Sequence, residues 1–367
     1  MAQQPRLNQR QSKYERDGAG RQSGLFGSCF HDEGRYLLRV LRHFLSAANG
    51  ALAADAGFCH RTASTSVTDS RMAKLLLTGA AGYIAAQILP TLRERYDVTC
   101  VDVTGETRDG EAIEGLVVAD LIDADRTKYA SLFEGVDAVI HLGYKRRTGS
   151  PLDHYFDERQ NVDMAYNVFR SALDAGVKRV VMASSNHAAD WYEHALIHRG
   201  HMENLDPYLL PLSDNFYGWA KATYEHLGFL FASGMGDFTD ASGKQTHTGG
   251  AQADLRRLEV VMVRIGAPRV LDLAVYDDPG GYKRDLGAWI SPRDLTQLFV
   301  RSVDTEDIRN EHGVPWQVVY GISNNTRAFW SLTSARQALG YAPKDDSELE
   351  YAADIKSMLE RAPGRVG

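Results

Sequence analysis

The 367-residue chain holds only three cysteines, Cys29, Cys59 and Cys100. Two lie in the N-terminal segment and the third in an apolar run, so neither a disulfide framework nor a zinc-ligand spacing can be assembled. No metal is expected, and a reducing compartment, most simply the cytoplasm, fits best. No stretch approaches the ~20 consecutive apolar residues of a membrane span. Positive charge is not in excess either: 41 Lys and Arg face 48 Asp and Glu, a net charge of -7. That balance gives no general attraction to nucleic acid or to an anionic membrane. The hydrophobic fraction of 44% and the charged fraction of 24% are ordinary for a soluble globular chain. The length suits one large α/β domain or two modest ones.

Residues 1–71 read differently from the rest. The opening is polar, Gln/Arg-rich and without apolar periodicity, which predicts disorder. Residues 36–48 carry apolar side chains at helical spacing with Arg39, Arg42 and His43 between them, a pattern open to an interfacial role. Glu15, Asp17, Asp32 and Glu33 weigh against a transit peptide, since such peptides are acid-poor. Residues 62–71 are Ser/Thr-rich and linker-like, and Met72-Ala-Lys-Leu-Leu-Leu-Thr-Gly opens as domains that begin on their central strand do. The expectation is an N-terminal extension at 1–71, disordered or not native, followed by one domain at 72–367.

From Lys74 the pattern runs strand, Gly-rich turn, helix, strand. Apolar runs fall at residues 74–78, 97–101, 115–118, 138–142, 179–183 and 260–265, with helical patterns at 163–175 and 217–233 between them. Such alternation predicts an α/β fold, a doubly wound Rossmann-type sheet, mostly parallel and covered on both faces. The Gly/Thr/Asp-rich stretch 233–250 reads as an inserted loop. The Rossmann core is expected at about 72–187 plus 216–266. A smaller substrate-binding portion would come from 188–215, 267–292 and 322–367.

The Gly-rich turn is Thr78-Gly-Ala-Ala-Gly-Tyr-Ile-Ala85. Gly79 and Gly82 would let backbone amides, with those of Ala81, Tyr83 and Ile84, approach a pyrophosphate on the helix N-terminus. Asp102 ends the next run, 23 residues after Gly79. A carboxylate there accepts from both ribose hydroxyls and repels a 2′-phosphate, so the predicted cofactor is NAD rather than NADP. Asp120 and Leu121 end the third run, where Asp120 either meets the adenine amino group or caps a helix at 124–132. Leu142 and Gly143 close the fourth.

The fifth run ends in Ala183-Ser-Ser-Asn-His187, and Tyr217-Gly-Trp-Ala-Lys221 opens the next helix. Tyr217 and Lys221, four residues apart, share a helical face. The ammonium would favour phenolate and lower the Tyr217 pKa, and the phenolate would take a substrate proton as hydride leaves the same carbon. Tyr-x-x-x-Lys alone is common by chance. Following the Gly-rich turn, Asp102 and Ser184-Ser185 in this order, it resembles the extended short-chain dehydrogenase/reductase superfamily, which includes nucleotide-sugar epimerases and dehydratases.

A narrower resemblance is to the bacterial uronate dehydrogenases. It rests on Ala183–His187, Val263-Arg-Ile-Gly266, Tyr282-Lys-Arg-Asp-Leu-Gly-Ala-Trp-Ile-Ser291, Asp294-Leu-Thr296, Val319-Tyr-Gly-Ile-Ser-Asn324 and Leu339-Gly-Tyr-Ala-Pro-Lys-Asp345. It covers most of 72–350 and is weakest at 188–215 and 233–258. The resemblance implies oxidation of the anomeric hydroxyl of a sugar acid to a lactone with NAD. It implies Tyr217 as base, Lys221 as its activator and Ser185 on the reacting oxygen. Asn186 and His187 would touch sugar hydroxyls, and Arg284 would clamp the substrate carboxylate. Without that resemblance, Asn186 and His187 serve as loop hydrogen-bonders and Arg284 as one half of a surface ion pair with Asp277, Asp278 or Asp285. A homodimer through the two long helices is a further implication.

The chain departs from that pattern after Gly143, where it reads Tyr144-Lys-Arg-Arg147 and Arg146 stands where the relatives carry a substrate-contacting serine. Either a bulky cation reshapes the pocket for a more anionic or phosphorylated substrate, or the loop turns outward and its cations are solvated. His194, His198 and His201 share a helical face that would suit zinc, but Gly200 interrupts the helix and hydride transfer needs no metal. Two further alternatives stay open: an epimerase or dehydratase with tightly held NAD, and a dinucleotide-sensing protein without chemistry, against which the intact Tyr217, Lys221 and Ser185 argue.

Overall fold

The computed structural model describes residues 72–234, 257–276 and 279–361. The expectations for 1–71, for most of the 233–250 loop and for Asp277 and Asp278 lie outside the described residues. Among the described residues there are seven strands: β1 (Lys74–Thr78), β2 (Asp97–Asp102), β3 (Val117–Val118), β4 (Ala138–His141), β5 (Arg179–Ser185), β6 (Glu259–Ile265) and β7 (Trp316–Gly321). They form one sheet in the order β3-β2-β1-β4-β5-β6-β7, and every pair is parallel. Six match the apolar runs to within a residue or two. The seventh, β7, lies outside the expected core, yet it pairs with β6 from Val260↔Trp316 to Ile265↔Gly321.

The longer helices are α1 (Tyr83–Arg95), α2 (His154–Ala175), α3 (Phe216–Ser233), α4 (Pro279–Ala288), α5 (Pro292–Asp304), α6 (Thr333–Leu339) and α7 (Ala352–Arg361). Successive strand residues point to opposite faces, so each strand feeds two layers. Leu75 and Leu77 of β1 share one layer with Ile88 and Leu92 of α1 and with Leu298 and Phe299 of α5. Leu76 meets Phe169 of α2 and Tyr224 and Phe231 of α3 in the other. A third cluster joins Tyr282 and Leu286 of α4, Trp289, and Ile355 and Met358 of α7. Among the described residues no helix is long and apolar enough to cross a membrane.

Two sequence expectations change. Helix α2 begins at His154, not 163, because its first turns bury polar residues that erase the apolar period. Asp157 accepts from the Thr148 amide at 2.6 Å, and Asn161 exchanges hydrogen bonds with the Lys145 backbone at 2.7 and 2.9 Å. The helix foreseen at 124–132 is instead two short 3-10 turns, Arg126–Lys128 and Ala130–Phe133. Asp120 therefore caps no helix; it accepts from the Ile122 amide at 2.9 Å, and Asp125 caps the first turn.

Candidate active site

Strand order reverses between β1 and β4, and in such sheets ligands bind in the crevice beyond the strand ends at that point. A cleft of about 1540 Å³ lies there. It is lined by Gly79, Ala81, Gly82, Tyr83, Ile84, Asp102, Asp120, Leu121, Leu142, Gly143, Tyr217 and Lys221, the full set expected to hold the cofactor. Gly79 has φ +73°, and a Cβ on it would lie 2.5 Å from the Gly143 amide nitrogen. The β1 and β4 turns thus pass each other as bare backbone. Gly82 caps α1 without a side-chain hydrogen bond, leaving first-turn amides for an anion. Asp102 accepts from the Ala81 amide at 2.9 Å and the Val103 amide at 2.7 Å, so its carboxylate is anchored at the cleft's β2 edge. Uncapped amides and, farther along, a fixed carboxylate fit a pyrophosphate and a ribose diol.

At the other end stand Tyr217, Lys221 and Ser185. Asn215 caps α3 by accepting from the Gly218 amide at 2.9 Å, which starts the helix one residue before Tyr217. One turn below Lys221, the buried Glu225 grips Arg264 of β6 at 2.7 and 2.8 Å and accepts from Ser184 at 2.7 Å. The helix is thereby pinned to the strand that delivers Ser185. Lys221 is buried, donates to the Ala183 carbonyl at 2.9 Å, and lies 5.6 Å from the Tyr217 ring centre. Burial pulls its pKa down to about 8. The expected lowering of the Tyr217 pKa is not found. Burial raises it, against the pull of a Ser185 hydrogen bond, with Glu158 raising it further and Arg147 opposing.

The 144–147 loop does not simply turn outward. Tyr144 packs edge-on against Tyr217 at 5.4 Å and donates to Glu158 at 2.7 Å. Burial raises the Glu158 pKa, against the pull of Tyr144, Asn161, Lys221 and Arg147. The Arg147 guanidinium sits 5.3 Å over the Tyr217 ring and 3.6 Å from Glu158, while Lys145 reaches Gln160 and, at 3.7 Å, Asp157. Arg146 is exposed and lines the cleft. Sequence reasoning missed Tyr144 and Glu158 because Glu158 lies in the polar stretch that concealed the start of α2.

Ser185 and His187 also line the cleft, whereas Asn186 and Arg284 do not. Arg284 is committed elsewhere: it meets Glu193 through two bonds of 2.7 and 3.0 Å, Asp285 at 3.0 Å, and the Trp330 ring at 5.3 Å. Burial opposes its charge, but Glu193 and then Asp285 outweigh it and raise its pKa. With its amide turned, Asn186 accepts from Arg284 at 2.6 Å and donates to the Ile265 carbonyl at 3.1 Å. The surface pairing weighed for Arg284 is therefore an interior one, chiefly with Glu193. Of the three histidines, His194 pairs with Asp214 at 2.6 Å and His198 with Glu193 at 3.1 Å.

A parallel sheet with this cleft, and Tyr, Lys and Ser at its end, defines a short-chain dehydrogenase/reductase of the extended kind. The chain belongs to the NAD dependent epimerase/dehydratase family, whose model matches residues 75–239. It is similar to the NAD-dependent glucose-6-phosphate dehydrogenase of Haloferax volcanii, 33% identical over 284 residues, 74% of this chain and 94% of that protein. The uronate dehydrogenase of Pseudomonas putida is 30% identical over 290 residues, covering 78% and 90%. Among solved structures, the glucuronic acid dehydrogenase of Chromohalobacter salexigens aligns with a TM-score of 0.56 at 26% identity, over 78% of this chain and 89% of that one. The chain is an NAD-dependent sugar dehydrogenase, with NAD as its cofactor.

Proposed function

We propose that the chain oxidises an anionic pyranose, a sugar acid in the first instance, at its anomeric hydroxyl to give the lactone. The observation that carries this reading is the convergence of Tyr217, Lys221 and Ser185 at one end of a cleft whose other end presents Asp102. When bound, NAD supplies the hydride acceptor. Tyr217 takes the proton of the anomeric hydroxyl, Ser185 holds that oxygen, and Lys221 offsets charge as the phenol cycles through phenolate. His187 lines the cleft close to Ser185 and supplies a hydroxyl contact, while Asn186 stands behind it, bonded to Arg284 and the Ile265 carbonyl. Arg284 binds a carboxylate only by sharing or exchanging Glu193.

That last point favours a second reading, a phosphorylated sugar. Glu193 already fills the Arg284 fork, while Arg146 stands on the cleft, and a relative matched over 94% of its length is a glucose-6-phosphate dehydrogenase. The test is NADH formation at 340 nm with glucuronate, galacturonate, glucose 6-phosphate and neutral hexoses, with Tyr217→Phe alongside. Turnover on uronates, lost in Tyr217→Phe, upholds the first reading; turnover confined to the sugar phosphate selects the second. NAD retained through purification with no net NADH on any sugar would overturn both in favour of an epimerase.

We further propose a homodimer through α2 and α3. Tyr155 contacts Phe156, Phe216 and Trp219 at ring distances of 5.5, 6.0 and 5.4 Å on a solvent-facing patch. Light scattering at twice the monomer mass supports it, and monomers at micromolar concentration would refute it. Cys100, buried with a free thiol, supports placing the protein in the reducing cytoplasm.

A further inference from the structure

His187 and Asp190 form a pair that hydride transfer does not call for. Asp190 is 2% exposed, and its Oδ2 accepts from His187 Nδ1 at 2.5 Å and from Asn215 Nδ2 at 3.0 Å. Among the described residues its Oδ1 is buried without a hydrogen-bond partner. In a neutral ring, a bond to Oδ2 places the imidazole proton on Nδ1 and leaves the Nε2 lone pair free. His187 lines the cleft with its ring centre 5.5 Å from that of Tyr217. Its place is rigid: a Cβ on Gly218 would lie 1.9 Å from the His187 carbonyl oxygen, so the first turn of α3 rests directly on this backbone. Asn215, the cap of α3, ties Asp190 to the helix that carries Tyr217.

A hydroxyl contact alone needs no buried carboxylate behind the imidazole. A carboxylate there stabilises the imidazolium that forms when the ring takes a proton, the arrangement of a general base. The oxidation already has its base in Tyr217, so a second base has its use afterwards. On the lactone-forming reading, the carbonyl oxygen left by oxidation would face the newly protonated Tyr217 hydroxyl and Ser185, which line the cleft together and could both donate to an oxyanion.

We propose that the site also hydrolyses its own lactone, with His187 as general base on water and Asp190 as its positioning residue. This rests on the lactone-forming reading above. The water oxygen bonds to C1 while one of its protons passes to His187 Nε2, and the carbonyl π pair moves onto the oxygen held by Tyr217 and Ser185. On collapse the bond from C1 to the ring oxygen breaks. That oxygen takes the proton back from His187, leaving an open-chain acid and a free hydroxyl. Nothing is oxidised or reduced in this step, and ionisation of the acid releases one proton.

The proton count tests it. Oxidation to the lactone releases one proton per NADH, and hydrolysis releases a second. With the full chain and whichever panel sugar turns over best, NADH is read at 340 nm while acid release is titrated in a pH-stat. Two protons per NADH without a lag are expected. Asp190→Asn and His187→Gln should each restore a lag set by spontaneous hydrolysis, lowering the ratio of hydrolysis to oxidation at least tenfold. A role confined to holding the fold would slow both reactions together and leave that ratio unchanged, which overturns the proposal. One proton per NADH followed by acid release at the enzyme-free rate also overturns it, while leaving the dehydrogenase reading intact. If no sugar yields NADH, glucono-1,5-lactone is added directly. His187-dependent acid release then sustains hydrolysis even though the oxidation reading has failed, and acid release at the enzyme-free rate overturns hydrolysis as well.

Discussion

Glu193 closes the guanidinium fork of Arg284 from inside the protein, Nε to Oε1 at 2.7 Å and Nη2 to Oε2 at 3.0 Å. Glu193 sits on the one-turn π-helix Glu193–Ile197, a form of backbone that recurs at functional sites. A substrate carboxylate approaching Arg284 meets a cation that is already paired.

Glu193→Gln removes that competing charge while keeping a hydrogen-bonding side chain of the same shape. The expected outcome is a KM for glucuronate lowered about tenfold, on the scale of one charge-assisted hydrogen bond. The KM for a neutral hexose should stay where it was. Steady-state rates on the two sugars decide it, and an unchanged uronate KM would show that Arg284 does not meet the substrate.

Arg146→Ala addresses the opposite rim. Arg146 lines the cleft from an exposed position, so its loss should leave folding intact. If it selects a phosphoryl group, KM for glucose 6-phosphate should rise by roughly tenfold or more, the worth of one charge-assisted hydrogen bond. Equal effects on charged and neutral sugars would assign it to general loop shape instead.

Gly79→Ala combines two penalties. The residue adopts φ +73°, and the new methyl would meet the Gly143 nitrogen at 2.5 Å and the Leu142 carbonyl carbon at 2.6 Å, both backbone atoms. Strain and overpacking together should lower stability by roughly 2 kcal/mol or more. NAD affinity should fall with it. Urea unfolding and fluorescence titration with NADH measure the two effects, and a variant of native stability would mean that the two turns separate easily.

His141 supplies a pH prediction. It is fully buried on β4, with Nδ1 2.6 Å from the Thr78 hydroxyl, and burial lowers its pKa to about 3 from 6.5. Between those values the unfolded chain takes up a proton that the folded chain refuses. Stability from this group is therefore complete above about pH 6.5 and is lost progressively as the pH falls toward 3. The melting temperature of the wild type should drop more between pH 7.5 and 5 than that of His141→Asn. Equal drops would place the acid sensitivity in other groups.

Apart from β7, which fell in none of the apolar runs, the strands and the turns around Gly79 and Asp102 were legible in the sequence. Those features are local: an apolar run makes a strand, Gly79 and Gly82 permit one backbone path, and Asp102 ends the strand beside it. The pairing of Tyr217 with Lys221 is likewise helical geometry, readable from a spacing of four. What surrounds those groups depended on packing between segments distant in the chain. Glu158 is hidden from a periodicity argument because a buried carboxylate looks like a solvated one until Tyr144 is seen to reach it. Glu193 finds Arg284 across 91 residues of chain, and Arg264 finds Glu225 across 39. The Tyr217 pKa moved opposite to expectation for the same reason. Spacing on a helix places the ammonium near the phenol, but only the packed structure fixes how much water the phenol has lost, and that loss is the first cause of its raised pKa.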